Sequence, residues 1–187
     1  MKSFYSRCTQ SLLVAIGLLF VLTFTHATPI EYPSIEEQYI SDYVSQYAQT
    51  RLSTQTASRI AQNVYRRAKL SHLDPMFILG LIRLESGFNP SARSTEGARG
   101  LMQVLPRAHK QELTGKSVTN IETNIALGID IYSQCLKSKG TIKAALSCYS
   151  GGAGKKYYNT VVAYQHHAQH YVLDKMFSTR DTELALQ

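Results

Sequence analysis

Tryptophan is absent from the 187-residue sequence, and cysteine occurs only three times. There is no Gly-X-Y repeat and no sustained heptad, which excludes collagen-like and coiled-coil fibres. Period-2 alternation is also missing, so the pattern disfavours a sheet protein. Acidic residues are fewer than basic ones, 13 against 20, and the net charge of +7 indicates an anionic or mixed-charge partner. Apolar residues are plentiful at 44%, which excludes general disorder and predicts a packed core.

The first 27 residues have the three parts of a secretory signal. Lys2 and Arg7 lie near the start with no acidic residue, and an apolar run follows at residues 12–24. That run is short for a membrane span, and small residues precede a cleavage point after Ala27. We expect residues 1–27 to be a signal peptide that is removed, which predicts an exported protein with no stable membrane span. A signal anchor that stays attached is the alternative.

Cleavage after residue 27 would remove Cys8 and leave Cys135 and Cys148. An even pair of cysteines in an exported chain predicts a disulfide. If the helices around Gly140 form a hairpin, the two cysteines lie on its facing arms. A bridge that closes so short a loop is worth about 3 kcal/mol in the chain-entropy model. Two buried free thiols are the alternative.

The remaining sequence has the apolar spacing and cap signals of helices, so we predict an all-α protein. Residues 34–37 form a capping box that begins the first helix, and Thr119 to Glu122 form another that begins a later helix. Asp74 and Pro75 begin a later helix, which ends near Glu85 because Gly87 follows.

The predicted helices group into one main domain with short additions at each end. The N-terminal helical extension is expected either to hold a partner helix or to cover the domain. The final helix is expected over about residues 157–177. The predicted boundaries are a signal peptide at 1–27, the extension at 28–56, the main domain at 57–178 and a flexible polar tail at 179–187.

Glu85 is the residue that does not fit its predicted surroundings. It follows Leu81 and Ile82 by four and three positions, which places it on the apolar face of a helix. It also lies at the helix C-terminus, where the helix dipole disfavours negative charge. Both effects raise a carboxyl pKa, as a general acid for glycosidic cleavage requires. The alternative is a glutamate that turns to solvent at the end of its helix.

Four ordered motifs begin at this glutamate, and the first of them has two parts. Residues 85–94 read ESGFNPSARS and residues 96–103 read EGARGLMQ; Asn124-Ile125, residues 145–152 (ALSCYSGG) and residues 158–162 (YNTVV) follow. Over about residues 57–172 the chain resembles the soluble lytic transglycosylase (SLT) domain family. That family has a helical, lysozyme-like fold of the goose type and cuts the glycan strands of peptidoglycan. The resemblance therefore implies a periplasmic enzyme that acts on peptidoglycan.

The resemblance also implies roles for individual residues. Glu85 matches the catalytic acid, and Tyr149 matches the tyrosine that lies against it. Ser150 replaces the usual asparagine, which puts any sugar contact of that amide in doubt, because a hydroxyl is shorter and has one donor. The substrate-binding positions implied by the resemblance are Ser94, Met102, Gln103, Asn124, Tyr149, Ser150 and Tyr158.

The implied reaction needs one carboxyl and no cofactor. Glu85 would protonate the β-1,4 bridging oxygen between N-acetylmuramic acid and N-acetylglucosamine, and the muramic C6 hydroxyl would then close a 1,6-anhydro ring. Glu96 and Glu112 are the candidates for a second carboxyl, and we interpret both as solvated loop residues. Two alternatives remain: a water-using muramidase on the same fold, and a non-catalytic peptidoglycan-binding scaffold subunit.

The expected partners are peptidoglycan strands, and export disfavours nucleic acid. The size and layout resemble family members that open the wall for secretion, conjugation or pilus machines. His166 and His170 lie one helical turn apart, but no third ligand is evident, so we predict no metal site there.

Overall fold

In a computed structural model of the protein, residues 33–185 are described, and the predicted signal peptide lies outside them. Within this range there are helices and no strand, which confirms the all-α prediction. None of the helices there is both long and apolar enough to cross a membrane. The helices are α1 (Ile35–Tyr47), α2 (Thr54–Leu70), α3 (Pro75–Ser86), α4 (Ile121–Lys139), α5 (Ile142–Tyr149) and α6 (Lys155–Ala185), with a 3-10 turn at Pro106–Ala108.

The helix caps follow the sequence signals closely at two of three predicted starts. At α1 the Ser34 hydroxyl accepts from the Glu37 N–H at 3.2 Å, and the Glu37 carboxylate accepts from the Ser34 N–H at 2.8 Å. At α3 the Asp74 carboxylate accepts from the Met76 N–H at 2.9 Å. The start of α4 differs, since Asn120 and not Thr119 is the cap. An amide oxygen satisfies the exposed helix N–H there as well as a hydroxyl.

Helix α3 forms the centre of the core. Its residues from Pro75 to Ile82 are buried on all sides, and it packs most extensively against α6. Gly80 makes this close crossing possible, because a side chain there would meet the α6 backbone at Val161 and Gln165. The crossing sets the position of the carboxyl end of α3 relative to the first turns of α6.

Helix α1 packs against α2 and α6 as part of the same core. Its residues Ile40, Tyr43 and Val44 are fully buried. Complete burial of three large apolar side chains stabilises the folded chain by several kcal/mol, about 1.5–3 kcal/mol each. Helix α1 is therefore part of the packed core.

Helices α4 and α5 form a hairpin that turns at Gly140. The structure joins Cys135 on α4 to Cys148 on α5 in a disulfide, with the two Cα atoms 5.8 Å apart and the two residues 13 positions apart in sequence. Tyr149 follows Cys148 directly. The bridge therefore fixes the end of α5 to α4 next to a residue of the groove described below.

Helix α6 is longer than the sequence pattern predicts. It continues through Ala185, so the prediction of a loose tail is wrong for residues 179–185. No glycine or proline follows Phe177 to end the helix. The Thr179 hydroxyl also hydrogen-bonds the Tyr39 hydroxyl of α1, which ties this stretch to the domain.

Candidate active site

An open groove of about 760 Å³ runs across the domain where α3, α5 and α6 meet the segment between α3 and α4. Its size suits part of a linear polymer. The lining residues are Glu85, Ser94, Glu96, Ala98, Gln103, Val104, Leu105, Arg107, His109, Ile131, Tyr149, Ser150, Gly151, Ala153 and Tyr157.

Glu85 lies in the groove at the penultimate position of α3. Leu81 and Ile82, one turn earlier, are fully buried, so the helix carries the carboxyl at the edge of its apolar face. Gly87 ends the helix in the left-handed region at φ 55°, which a glycine adopts without strain. The local sequence therefore holds the glutamate at the end of a rigid, buried helix.

Burial raises the pKa of the Glu85 carboxyl above its ordinary value, and a hydrogen bond from Tyr157 opposes this in part. The Tyr157 hydroxyl donates to Glu85 Oε1. Burial, together with the neighbouring carboxylate, raises the pKa of Tyr157 as well, so this tyrosine remains a donor. The pair combines a carboxyl whose protonated form is favoured by burial with a fixed donor to its conjugate base.

Tyr149 lies on the same side of the groove. Its hydroxyl donates to the Met102 carbonyl oxygen at 2.6 Å. Burial, and then the nearby Glu85 carboxylate, raise the pKa of Tyr149 well above its ordinary value. Tyr149 thus lies close to Glu85 but is bonded to the backbone of the loop opposite.

Two buried polar side chains, Ser86 and Asn124, hydrogen-bond the backbone of the loop between α3 and the 3-10 turn. The Ser86 hydroxyl donates to the Leu101 carbonyl oxygen at 2.7 Å. Asn124 of α4 donates to the Arg99 carbonyl at 2.9 Å and the Val118 carbonyl at 2.8 Å. Its amide oxygen accepts from the Met102 N–H at 2.8 Å. These bonds satisfy loop backbone groups that would otherwise be buried without partners.

Two residues predicted to contact substrate are therefore buried supports. Asn124 is 1% exposed and Met102 is fully buried, and neither lines the groove. The Met102 side chain packs instead on α4 at Gly128. Met102 is thus buried in the core, while the next residue, Gln103, lines the groove.

Gln103 and Ser94 line the groove, as the sequence predicts for substrate-binding residues. Gln103 has φ 47°, and its side-chain amide donates to the Gly100 carbonyl at 2.9 Å. The Ser94 hydroxyl accepts from the Ala98 N–H at 3.1 Å. The loop orients both side chains, and their remaining hydrogen-bonding groups face the groove.

Ser150 also lines the groove, but its hydroxyl is engaged with the protein. It donates to the Leu146 carbonyl at 2.7 Å and accepts from the Ala153 N–H at 3.1 Å. The residue thus stabilises the turn after α5. Little hydrogen-bonding capacity remains for a sugar, in line with the doubt raised by the missing amide.

Tyr158 is not a groove residue; its neighbour Tyr157 occupies the groove. The prediction misplaced the tyrosine motif by one position. The helical spacing of apolar residues on α6 could have indicated the correct residue. Val161, Ala168 and Val172 share one face, which the structure buries, and Tyr157 lies one turn before Val161 on that face.

The two other carboxyls considered from the sequence have different environments. Glu96 lines the groove but is exposed, and hydrogen bonds from Thr95 and the backbone hold its pKa below the ordinary value. Glu112 lies outside the groove and is paired with His109 at 3.4 Å. The pKa of Glu85 is thus raised by burial, whereas the pKa values of Glu96 and Glu112 are lowered by hydrogen bonds.

The histidine cluster on α6 is separate from this chemistry. His167 Nδ1 lies 3.2 Å from the Arg83 guanidinium, between α1 and α6. Within residues 33–185 no group of three histidine, cysteine, aspartate or glutamate side chains is placed to hold a metal ion.

The chain resembles known proteins in sequence. A family model described as the transglycosylase SLT domain matches residues 62–172, which is more than half of the chain.

Two individual relatives match shorter stretches. A transglycosylase of Enterobacteria phage PRD1 is 34% identical over 87 residues, which cover 45% of this chain and 31% of that protein. The membrane-bound lytic murein transglycosylase C of Actinobacillus pleuropneumoniae serotype 5b (strain L20) is 44% identical over 50 residues, or 27% of this chain and 14% of that protein. The chain thus spans about a third or less of the length of these relatives.

Proposed function

The chain belongs to the transglycosylase SLT domain family, and on that premise we propose that it is a lytic transglycosylase of peptidoglycan. The bond cut is the β-1,4 link between N-acetylmuramic acid and N-acetylglucosamine. One observation carries the proposal: Glu85, a carboxyl with a raised pKa, lies in a polymer-sized groove with a tyrosine hydroxyl on its oxygen. Both relatives are named transglycosylases, which supports the same activity.

In the first step Glu85 acts as general acid. Burial raises the pKa of the carboxyl and so favours its protonated form, and the proton passes to the bridging oxygen as the bond to muramic C1 breaks. The N-acetyl oxygen of the same sugar stabilises the positive charge that develops at C1. The Tyr157 hydroxyl then donates to the carboxylate that Glu85 has become, which limits the cost of forming a charge in a buried site.

In the second step Glu85 acts as general base. It takes the proton of the muramic C6 hydroxyl while that oxygen attacks C1 and closes a 1,6-anhydro ring. Glu85 ends protonated, as it began, and no water is consumed. Attack within one sugar ring has a high effective molarity, so no activated water is needed. Gln103 and Ser94 are proposed to position the sugars, since their side chains face the groove.

A water-using muramidase is the second candidate, and Glu96 is the observation that favours it. Such an enzyme needs a carboxylate base that activates water, and Glu96 lines the same groove. Its lowered pKa and exposure argue against it, because a carboxylate of lower pKa is a weaker base.

Purified peptidoglycan sacculi provide the test. We expect the protein to release soluble muropeptides, and Glu85→Gln to release at least about 100-fold less, since positioned acid–base catalysis contributes 10²–10⁴-fold. Glu96→Gln is the matched control, because it makes the same change in the same groove, and it should retain activity. Equal loss in both variants would favour the muramidase. Near wild-type release by Glu85→Gln would remove the enzyme assignment to this residue.

We also propose that the protein is exported to the periplasm and opens the wall locally for a secretion, conjugation or pilus machine. The support is the signal pattern of residues 1–27 and the resemblance in size and layout. In the host, deletion of the gene should lower assembly of that machine. Wild-type protein should restore it, and Glu85→Gln should not; restoration by both would contradict this role.

A further inference from the structure

A second depression, of about 300 Å³, lies between α2, the segment after the 3-10 turn and α4. Its volume is at the lower end of small-ligand sites, about 300–1,000 Å³, and suits one or two amino-acid residues. Its floor is apolar and its walls carry charges of both signs. The residues that matter are Leu127 on the floor and Arg67, Lys116, Glu112, Glu122 and Asp130 on the walls.

Two of these acids already have partners within the protein. Arg59 Nη2 donates to both Glu122 carboxylate oxygens, at 2.7 and 2.9 Å. Glu112 Oε1 lies 3.4 Å from His109 Nδ1. These two carboxylates therefore line the depression but already interact with other side chains of the protein.

Three other charges remain available. Arg67, Lys116 and Asp130 form no ion pair with any residue whose side chain the structure describes. An anion would be attracted by Arg67 and Lys116 but repelled by Asp130. A simple cation would be attracted by Asp130 but repelled by Arg67 and Lys116. The charges fit a ligand that carries a carboxylate and an ammonium group together, with a short apolar part over Leu127.

The depression adjoins the active-site groove at two independent points. On α4, Asp130 lines the depression and the next residue, Ile131, lines the groove. In the segment after the 3-10 turn, His109 lines the groove and contacts Glu112 of the depression. A ligand in the depression can therefore be covalently attached to a polymer in the groove, which raises its effective concentration there.

We propose that this depression binds the peptide carried by the glycan strand, with Arg67 and Lys116 on a carboxylate and Asp130 on an amino group. The inference rests on the proposed function. The peptide is joined to the lactyl group of N-acetylmuramic acid, and where its third residue is diaminopimelate it presents a free carboxylate beside a free amino group. That pair of charges on a short aliphatic chain matches the depression.

Strands with and without peptide test the proposal. Arg67→Gln/Lys116→Gln should lower kcat/KM about tenfold on peptide-bearing strands, mainly through KM, because two exposed charge contacts are lost. On strands freed of peptide by an amidase it should equal wild type. Lys137→Gln/Lys139→Gln, with the same charge change on exposed residues of α4 outside both cavities, should match wild type on both strands. An equal fall on both strands, or none on either, would overturn the proposal.

Direct binding separates this inference from the enzyme assignment. The free tripeptide L-Ala-γ-D-Glu-meso-diaminopimelate should shift amide resonances of Leu127 and Asp130 in NMR titrations of the wild type, and not of Arg67→Gln/Lys116→Gln. Equal binding to both proteins, or none to the wild type, contradicts the proposed site. If the wild-type protein is inactive on both kinds of strand, the proposed function is contradicted. The NMR titration would still show whether the depression binds the peptide.

Discussion

The crossing of α3 and α6 at Gly80 gives a prediction that links packing to catalysis. A methyl group at residue 80 would lie 2.6 Å from the Val161 carbonyl oxygen and 2.8 Å from the Gln165 nitrogen, both backbone atoms. Ordinary contact begins at 3.4 Å, so Gly80→Ala must separate the helices by about 0.8 Å. Neither neighbour can rotate away, since neither is a side chain.

The stability effect has two parts of opposite sign. Overpacking costs about 1–3 kcal/mol, and alanine recovers up to about 1 kcal/mol of helix propensity. We expect a net loss of about 1 kcal/mol, or a fall in Tm of about 2–4 °C for a domain of this size. The activity effect is larger, because Glu85 is on one helix and Tyr157 on the other. A displacement near 1 Å at a catalytic pair costs up to about 100-fold in kcat.

Gly154→Ala is the matched control. It makes the same chemical change just before α6, where nothing lies within 4 Å of the added methyl group. Thermal unfolding by circular dichroism and kcat on sacculi should separate the two variants. If Gly80→Ala is as stable and as active as Gly154→Ala, the close crossing does not position the catalytic pair.

Three further predictions concern the same site. The Glu85 pKa is raised in the folded state, so the folded protein binds more protons than the unfolded chain. Stability should therefore fall as pH rises through the range above the ordinary carboxyl pKa. Urea titrations should show a smaller dependence of stability on pH in Glu85→Gln, and an unchanged dependence would contradict the prediction. Tyr157→Phe removes the hydrogen bond that lowers the Glu85 pKa, so the alkaline limb of the activity–pH profile should move to higher pH, and a shift to lower pH would show that Tyr157 does not act on this carboxyl. Replacing Cys135 and Cys148 together by alanine should lower the free energy of unfolding by about 3 kcal/mol, and a loss below about 0.5 kcal/mol would show that the bridge contributes little.

Local patterns in the sequence predict the frame of the site well. The proline and aspartate cap at residues 74–75 begins α3 as predicted, and apolar spacing places Glu85 on its buried face. Burial and the helix C-terminus both act within a few residues of Glu85. The raised pKa of Glu85, which burial causes in the structure, has the direction that its place on the apolar face predicts.

Contacts between distant segments could not be predicted in the same way. Asn124 and Met102 belong to motifs that the resemblance placed near the substrate, yet Asn124 bonds three backbone groups in two separate loops. Only the assembled fold brings those loops to one side chain. The Tyr157 contact to Glu85 joins residues 72 positions apart and depends on the Gly80 crossing, which no local pattern specifies.

The end of α6 illustrates a different limit. The polar composition of residues 179–185 predicts loss of structure, but no helix-breaking residue follows Phe177. The tertiary hydrogen bond between the Tyr39 and Thr179 hydroxyls cannot be predicted from any local pattern. Composition alone therefore underestimates the length of the helix.

The mass of the fragments released from sacculi tests the central claim most directly, namely that one carboxyl, Glu85, both gives and takes the proton. If Glu85 deprotonates the muramic C6 hydroxyl, every new muramic end carries a 1,6-anhydro ring and is one water lighter than a hydrolysed end. Muramic ends with a free reducing group, formed by the wild-type protein and lost in Glu96→Gln, would contradict it and assign the second half of the reaction to water.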